Sequence, residues 1–168
     1  MIEPAPGTIH NPAVPTLRSA TTGDLVAVER LLADAGLPVD GIADILATNA
    51  ADFVVAEDPE SPGKLAAVAG LEVCRDDALL RSVAVRPEWR ARGLGRDLVR
   101  RIVSLAEARG VNSLYLLTTT AEHYFPRLGF TRIDRDAVPL EIRDTIEFRA
   151  ACPASAVAMT RPLRARSE

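Results

Sequence analysis

The stretch from Val83 to Arg96 constrains this chain more than any other. It opens on the apolar run Val83, Ala84 and Val85, turns at Pro87, and reaches Gly93 and Gly95 through a loop carrying Arg90, Ala91 and Arg92. Leu94, Leu98, Ile102 and Leu105 follow at a spacing that places them on one face of a helix. The pattern is a strand, a basic glycine loop and a helix. Two glycines let the backbone turn sharply and let an anion approach it closely. The free N–H groups and positive dipole end of a helix N-terminus point at such an anion. Arg90, Arg92 and Arg96 add formal charge there. The local expectation is a seat for a phosphate or pyrophosphate.

The rest of the chain must supply a core behind that loop, and 168 residues suffice for one domain. A net charge of −3, with the arginines gathered at one loop, argues against a general nucleic-acid surface. Lys64 is the single lysine. Cys74 and Cys152 have no zinc-type spacing and form no disulfide framework; both read as small buried hydrophobes. No metal site is expected. Neither a secretory signal nor a run of ~20 apolar residues is visible, so the expectation is a cytoplasmic protein without a membrane partner.

Along the chain, residues 1–15 are proline-rich without hydrophobic period and read as a flexible tail. A strand at residues 16–19 precedes a helix start at Thr21 and Asp24, with Leu25, Val28, Leu31 and Leu32 on its apolar face. Ile42, Ile45 and Leu46 suggest a second short helix. Strands are expected at 53–57, 65–73 and 79–85, joined by tight turns as an antiparallel meander. After the glycine-loop helix come a strand at 114–117, a short helix at 121–128, a strand at 130–134, a helix within 139–148 and a strand at 155–160. The domain is expected over 16–161, with a polar tail at 162–168. The fold class is α/β, a mixed and largely antiparallel sheet flanked by helices.

Two elements carry a family resemblance. Arg90 to Gly95 resembles the Arg/Gln-x-x-Gly-x-Gly/Ala signature of the GNAT acetyltransferase superfamily, and Tyr124 to Phe130 resembles its later aromatic-aromatic-x-x-Leu-Gly-Phe element. The resemblance implies that the fourth and fifth strands splay apart and that acetyl-CoA lies in the gap. It implies cofactor contacts from the backbone of Val83, Ala84 and Val85, from the loop Arg90, Ala91, Arg92, Gly93, Leu94, Gly95 and Arg96, and from Thr118 and Phe125. It allows a homodimer.

Transfer of an acetyl group to an amine needs a proton acceptor, donors for the oxyanion and a proton for the departing thiolate. Glu72 is the candidate base; the alternative is a carboxylate pairing with a nearby arginine. Arg81 is unusual in an apolar run. Strand alternation places it on one face with Val83, and its guanidinium suits a substrate carboxylate or Glu72. Ser82 and Thr119 are further substrate candidates. Thr118 and Phe125 stand where many superfamily members have asparagine and the acidic tyrosine, so Tyr124, His123, Thr119 or water is left to protonate the thiolate.

The resemblance narrows further, to the acetyltransferase domain of N-acetylglutamate synthases and to small arsenic-resistance-associated GNAT proteins. It implies a small, amino-acid-like amine as acceptor, a toxic glutamate analogue included, with its carboxylate on Arg81. Pro153 stands where the synthases have a second substrate arginine, and Arg149 is the nearest alternative. The rivals are an N-acetylglutamate synthase-like enzyme, a non-catalytic acyl-CoA-binding module and a protein acetyltransferase.

Overall fold

The computed structural model describes residues 14–151 and 153–163. The expected tail at 1–15 and the reading of Cys152 therefore fall largely or wholly outside the described residues. The strands are β1 (Leu17–Ser19), β2 (Phe53–Glu57), β3 (Leu65–Cys74), β4 (Asp77–Val85), β5 (Ser113–Thr118), β6 (Thr131–Ile133) and β7 (Val157–Pro162). The helices are α1 (Leu25–Asp34), α2 (Ile42–Asn49), α3 (Leu94–Ala108) and α4 (Leu140–Arg143). The strands form one sheet in the order β1-β2-β3-β4-β5-β7-β6. Every pairing is antiparallel except β4 with β5.

Each face of the sheet is covered because each helix has one apolar stripe. On α3 the stripe is Leu94, Leu98, Val99, Ile102, Val103 and Ala106. It packs in one cluster with Ala69 and Leu71 of β3 and Ala78 and Leu80 of β4. Complete burial of Leu98 or Ile102 stabilises the fold by roughly 1.5–3 kcal/mol each. On the other face Val28, Leu31 and Leu32 of α1 and Ile42 and Leu46 of α2 pack against Phe53, Val55, Val68 and Ala84. The Thr21–Asp24 helix start is a real cap. The Asp24 carboxylate accepts the Thr21 N–H at 2.8 Å and also the Arg18 guanidinium.

The parting of β4 and β5 creates the central gap. They pair in parallel only at Ala78↔Leu114 and Leu79↔Tyr115. Past Leu79, β4 continues beside β3 to Val85, while β5 stays paired with β7 through Thr118.

The expected shared face of Arg81 and Val83 is corrected by a bulge. Gly70 pairs with Arg81, but Val68 pairs with Ala84, so one residue of β3 opposes two of β4. Ser82 takes up the extra length at φ 57°. Alternation breaks there. Ala78 and Leu80 before the bulge, and Val83 and Val85 after it, lie in the α3-side cluster, whereas Arg81 points to the opposite face beside Glu72.

The short elements also differ from expectation. The segment 121–128 contains a single 3-10 turn at Phe125–Leu128, where Pro126 sits at a helix-start position. The segment 139–148 splits into α4 and a π-turn at Glu147–Ala151. At the C-terminal end, β7 runs through Pro162, and Leu163 is buried beyond it.

Candidate active site

A cleft of about 1220 Å³ runs from the N-terminus of α3, between the parting strands, to Arg81. Its loop end is built by backbone geometry. Arg90 is extended, Ala91 is left-handed at φ 61°, and Gly93 caps α3 at φ 81°. A left-handed alanine is strained, and Gly93 adopts the same region at little cost. The first helical bond is from Asp97 N–H to the Gly93 carbonyl at 3.1 Å, so the N–H groups of Leu94, Gly95 and Arg96 precede it and lack intrahelical acceptors.

The side chains of this loop are partly committed to holding it. Arg90 Nε donates to the Val85 carbonyl at 2.9 Å. Arg92 lies over the Trp89 ring, 4.9 Å from its centroid. Arg96 and Arg127 line the cleft. Tyr124, 38% exposed, reaches across to α3: a Cβ placed on Gly95 would lie 2.7 Å from its hydroxyl. Burial raises the Tyr124 pKa above its ordinary value, with Asp97 adding to that and Arg96 opposing it. Phe125 is buried below, edge-on to Tyr124 and to Phe130.

The far end centres on Arg81, only 2% exposed. Its Nη1 donates to Glu72 Oε2 at 2.9 Å, its Nη2 to the Asp40 carbonyl at 3.2 Å, and its Nε to Ser82 Oγ at 3.3 Å. Glu147 Oε2 lies 3.6 Å from Nε. The three hydrogen bonds use three of the five guanidinium N–H donors.

Most residues singled out in the sequence meet here. Arg81, Ser82, Val83, Ala84, Val85, the loop from Arg90 to Arg96, Thr118, Thr119, Tyr124 and Phe125 all line the one cleft. Thr118 has a local task, accepting the Ala121 N–H at 2.9 Å and so holding the turn that carries Tyr124. Glu72 is the exception. It lines a separate cavity of about 370 Å³ with Asp52 and Arg109, and pairs with Arg81, which lines the cleft. His123 is exposed on the surface. Glu147 and Asp40 line the cleft but were missed. The signal that could have found Glu147 is Arg81 itself, since a buried arginine demands an acidic partner. Among the described residues no group of His, Cys, Asp and Glu could hold a metal ion, and no helix is long and apolar enough to cross a membrane.

Two strands that part beside a helix start, with arginines at one end of the gap and carboxylates at the other, define an α/β protein built to hold an elongated anionic ligand. Residues 49–132 match the family described as acetyltransferase (GNAT) domain, and the chain belongs to that family. It is accordingly an acyltransferase with acetyl-CoA as donor. An amino-acid acetyltransferase of Mycobacterium tuberculosis is 32% identical over 133 residues, which span 77% of this chain and 76% of that one. One from Escherichia coli is 40% identical over 57 residues, 34% of this chain but 13% of that enzyme. Among solved structures, a Mycobacterium tuberculosis protein in complex with CoA and NLQ superposes with a TM-score of 0.73 at 25% identity, covering 89% of this chain and all of that one. The N-acetylglutamate synthase of Neisseria gonorrhoeae, complexed with coenzyme A and N-acetyl-glutamate, shares the fold at a TM-score of 0.74 and 23% identity. That likeness covers 91% of this chain and 36% of the synthase. The chain thus matches only one part of the longer Escherichia coli and Neisseria gonorrhoeae enzymes.

Proposed function

We propose that this protein moves the acetyl group of acetyl-CoA to the primary amine of a small, amino-acid-like substrate. The observation that carries the reading is the two-pair contact between β4 and β5, which leaves a continuous cleft from the α3 amides to Arg81. The donor's pyrophosphate suits the N–H groups of Leu94, Gly95 and Arg96 with the arginines around them. Its pantetheine arm suits the backbone of Val83 and Ala84, in the manner of an added strand. Gly93, left-handed at φ 81°, sets the turn that presents the α3 N–H groups.

At the acceptor end, a guanidinium beside a carboxylate suits a zwitterion. Arg81, which lines the cleft, faces a substrate carboxylate, and Glu147 faces the ammonium. Glu72 serves this arrangement from behind by fixing Arg81. In the reaction the ammonium first gives one proton to a base or water, and the freed amine nitrogen bonds to the thioester carbonyl carbon. The C–S bond breaks, and a second proton from the nitrogen reaches the departing thiolate, directly or through water, so that CoA leaves as the thiol. The amino-acid acetyltransferase relatives support this acceptor class.

The test is thiol release from acetyl-CoA with a series of amino acids that includes glutamate, glutamine and a toxic glutamate analogue, the last implied by the resemblance to arsenic-resistance-associated proteins. Amine-dependent release matched by N-acetyl product in the mass spectrum is expected. Tight CoA binding with no release for any amine would leave a non-catalytic acyl-CoA-binding module.

A further inference from the structure

Tyr124 stands one residue before the position where the family resemblance places the tyrosine that protonates the thiolate. Its hydroxyl lies at the loop end of the cleft. It rests on the first turn of α3, so close to Gly95 that a Cβ there would sit 2.7 Å away, with Val85 Cγ2 3.6 Å from the same point. Arg96 and Asp97, the next residues of α3, are the charges that act on it. Thr118 holds the preceding turn through Ala121, and Phe125 anchors the ring from below.

Resting on the acetyl-CoA reading above, we propose that Tyr124 is a donor-positioning residue, its hydroxyl donating a hydrogen bond to the pyrophosphate at the start of α3. A hydroxyl at this point adds a side-chain donor beside the amides of Leu94, Gly95 and Arg96. A hydrogen bond to a charged phosphate oxygen is among the stronger ones available to a tyrosine. Gly95 then has two tasks: it brings the helix backbone close to the anion, and it leaves space for the hydroxyl. Thiolate protonation falls to another group or to water.

The experiment compares ligands that share the thiol arm, with and without the pyrophosphate and the phosphoadenosine it carries. Wild type and Tyr124→Phe are titrated calorimetrically with CoA and with pantetheine, and initial rates are measured with acetyl-CoA and acetyl-pantetheine. The expected result is that Tyr124→Phe raises Kd for CoA and KM for acetyl-CoA about tenfold, the size of one charge-assisted hydrogen bond. Kd for pantetheine and kcat with both donors stay within about twofold. A fall in kcat of similar size with both donors, at unchanged Kd for CoA, would make Tyr124 the thiolate acid and overturn the proposal. Unchanged values throughout would also overturn it. If wild type binds neither CoA nor pantetheine, the acetyl-CoA reading itself fails, a different outcome from either of these.

Discussion

Arg81 of β4 and Glu72 of β3 meet across two neighbouring strands, Nη1 to Oε2 at 2.9 Å, with the guanidinium buried and the carboxylate partly wet. Glu147 closes on the same guanidinium from the cleft side. Removing the cation takes the shared guanidinium from both carboxylates at once, the costly way to break such a cluster. Arg81→Ala is expected to lose about 3 kcal/mol of stability in urea unfolding. Arg81→Ala combined with Glu147→Gln is expected to lose less than the sum of the two single changes, because both remove the same Arg81–Glu147 contact.

Ser82 carries the bulge that turns Arg81 away from the face of Val83. Its φ of 57° is a conformation that L side chains pay for and glycine does not. Ser82→Gly is expected to change stability by less than about 1 kcal/mol, since eased strain offsets greater chain entropy. Ser82→Val, β-branched, is expected to destabilise by about 2 kcal/mol and to raise KM for the amine as Arg81 shifts. Equal behaviour of the two variants in thermal denaturation would contradict the bulge.

Gly95 and Tyr124 should behave as one unit. Alanine at Gly95 meets the tyrosine hydroxyl at 2.7 Å, while the ring carbon that bears it lies at 3.6 Å, an ordinary contact. Alanine is otherwise the better helix former by up to ~1 kcal/mol. Gly95→Ala is therefore expected to destabilise the wild type by about 1 kcal/mol and to be neutral or stabilising in the Tyr124→Phe background. A double-mutant cycle in urea measures the coupling, and a coupling near zero would place the hydroxyl elsewhere.

Cys74 lies at the end of β3, half-buried, where burial first and then Glu72, Glu141 and Asp77 push its pKa from 9.0 up to about 11. At pH 8 it is a neutral thiol. In a Cys152→Ser protein, iodoacetamide is expected to alkylate native Cys74 about 100-fold more slowly than the urea-unfolded chain, because the thiolate is the nucleophile. The native rate should climb about tenfold per pH unit through pH 9 without levelling. A plateau near pH 9 would show an unshifted thiol.

Local chemistry made some of this legible in the sequence. Gly93 speaks through its left-handed backbone, and the α3 stripe of Leu94, Leu98 and Ile102 speaks through its period, so the loop and its helix could be read directly. The splay between β4 and β5 leaves no trace in periodicity and came only with the family resemblance. The Ser82 bulge was hidden because serine carries no mark of a left-handed backbone, and missing it put Arg81 on the wrong face. Glu147 was hidden differently. It sits between Ile146 and Phe148 on a π-turn that tertiary packing holds, and it reaches Arg81 only when that turn docks against the sheet. Glu72 was singled out as a base or as an arginine's partner, and the structure pairs it with Arg81, which draws its carboxylate behind the cleft.

The most direct measurement of the central claim is a crystal structure of the protein with CoA. The account predicts the pyrophosphate on the N–H groups of Leu94, Gly95 and Arg96, the pantetheine arm between β4 and β5 beside Val83, and the thiol directed toward Arg81 and Glu147. CoA bound outside that gap, or a pyrophosphate away from the α3 N-terminus, would contradict it.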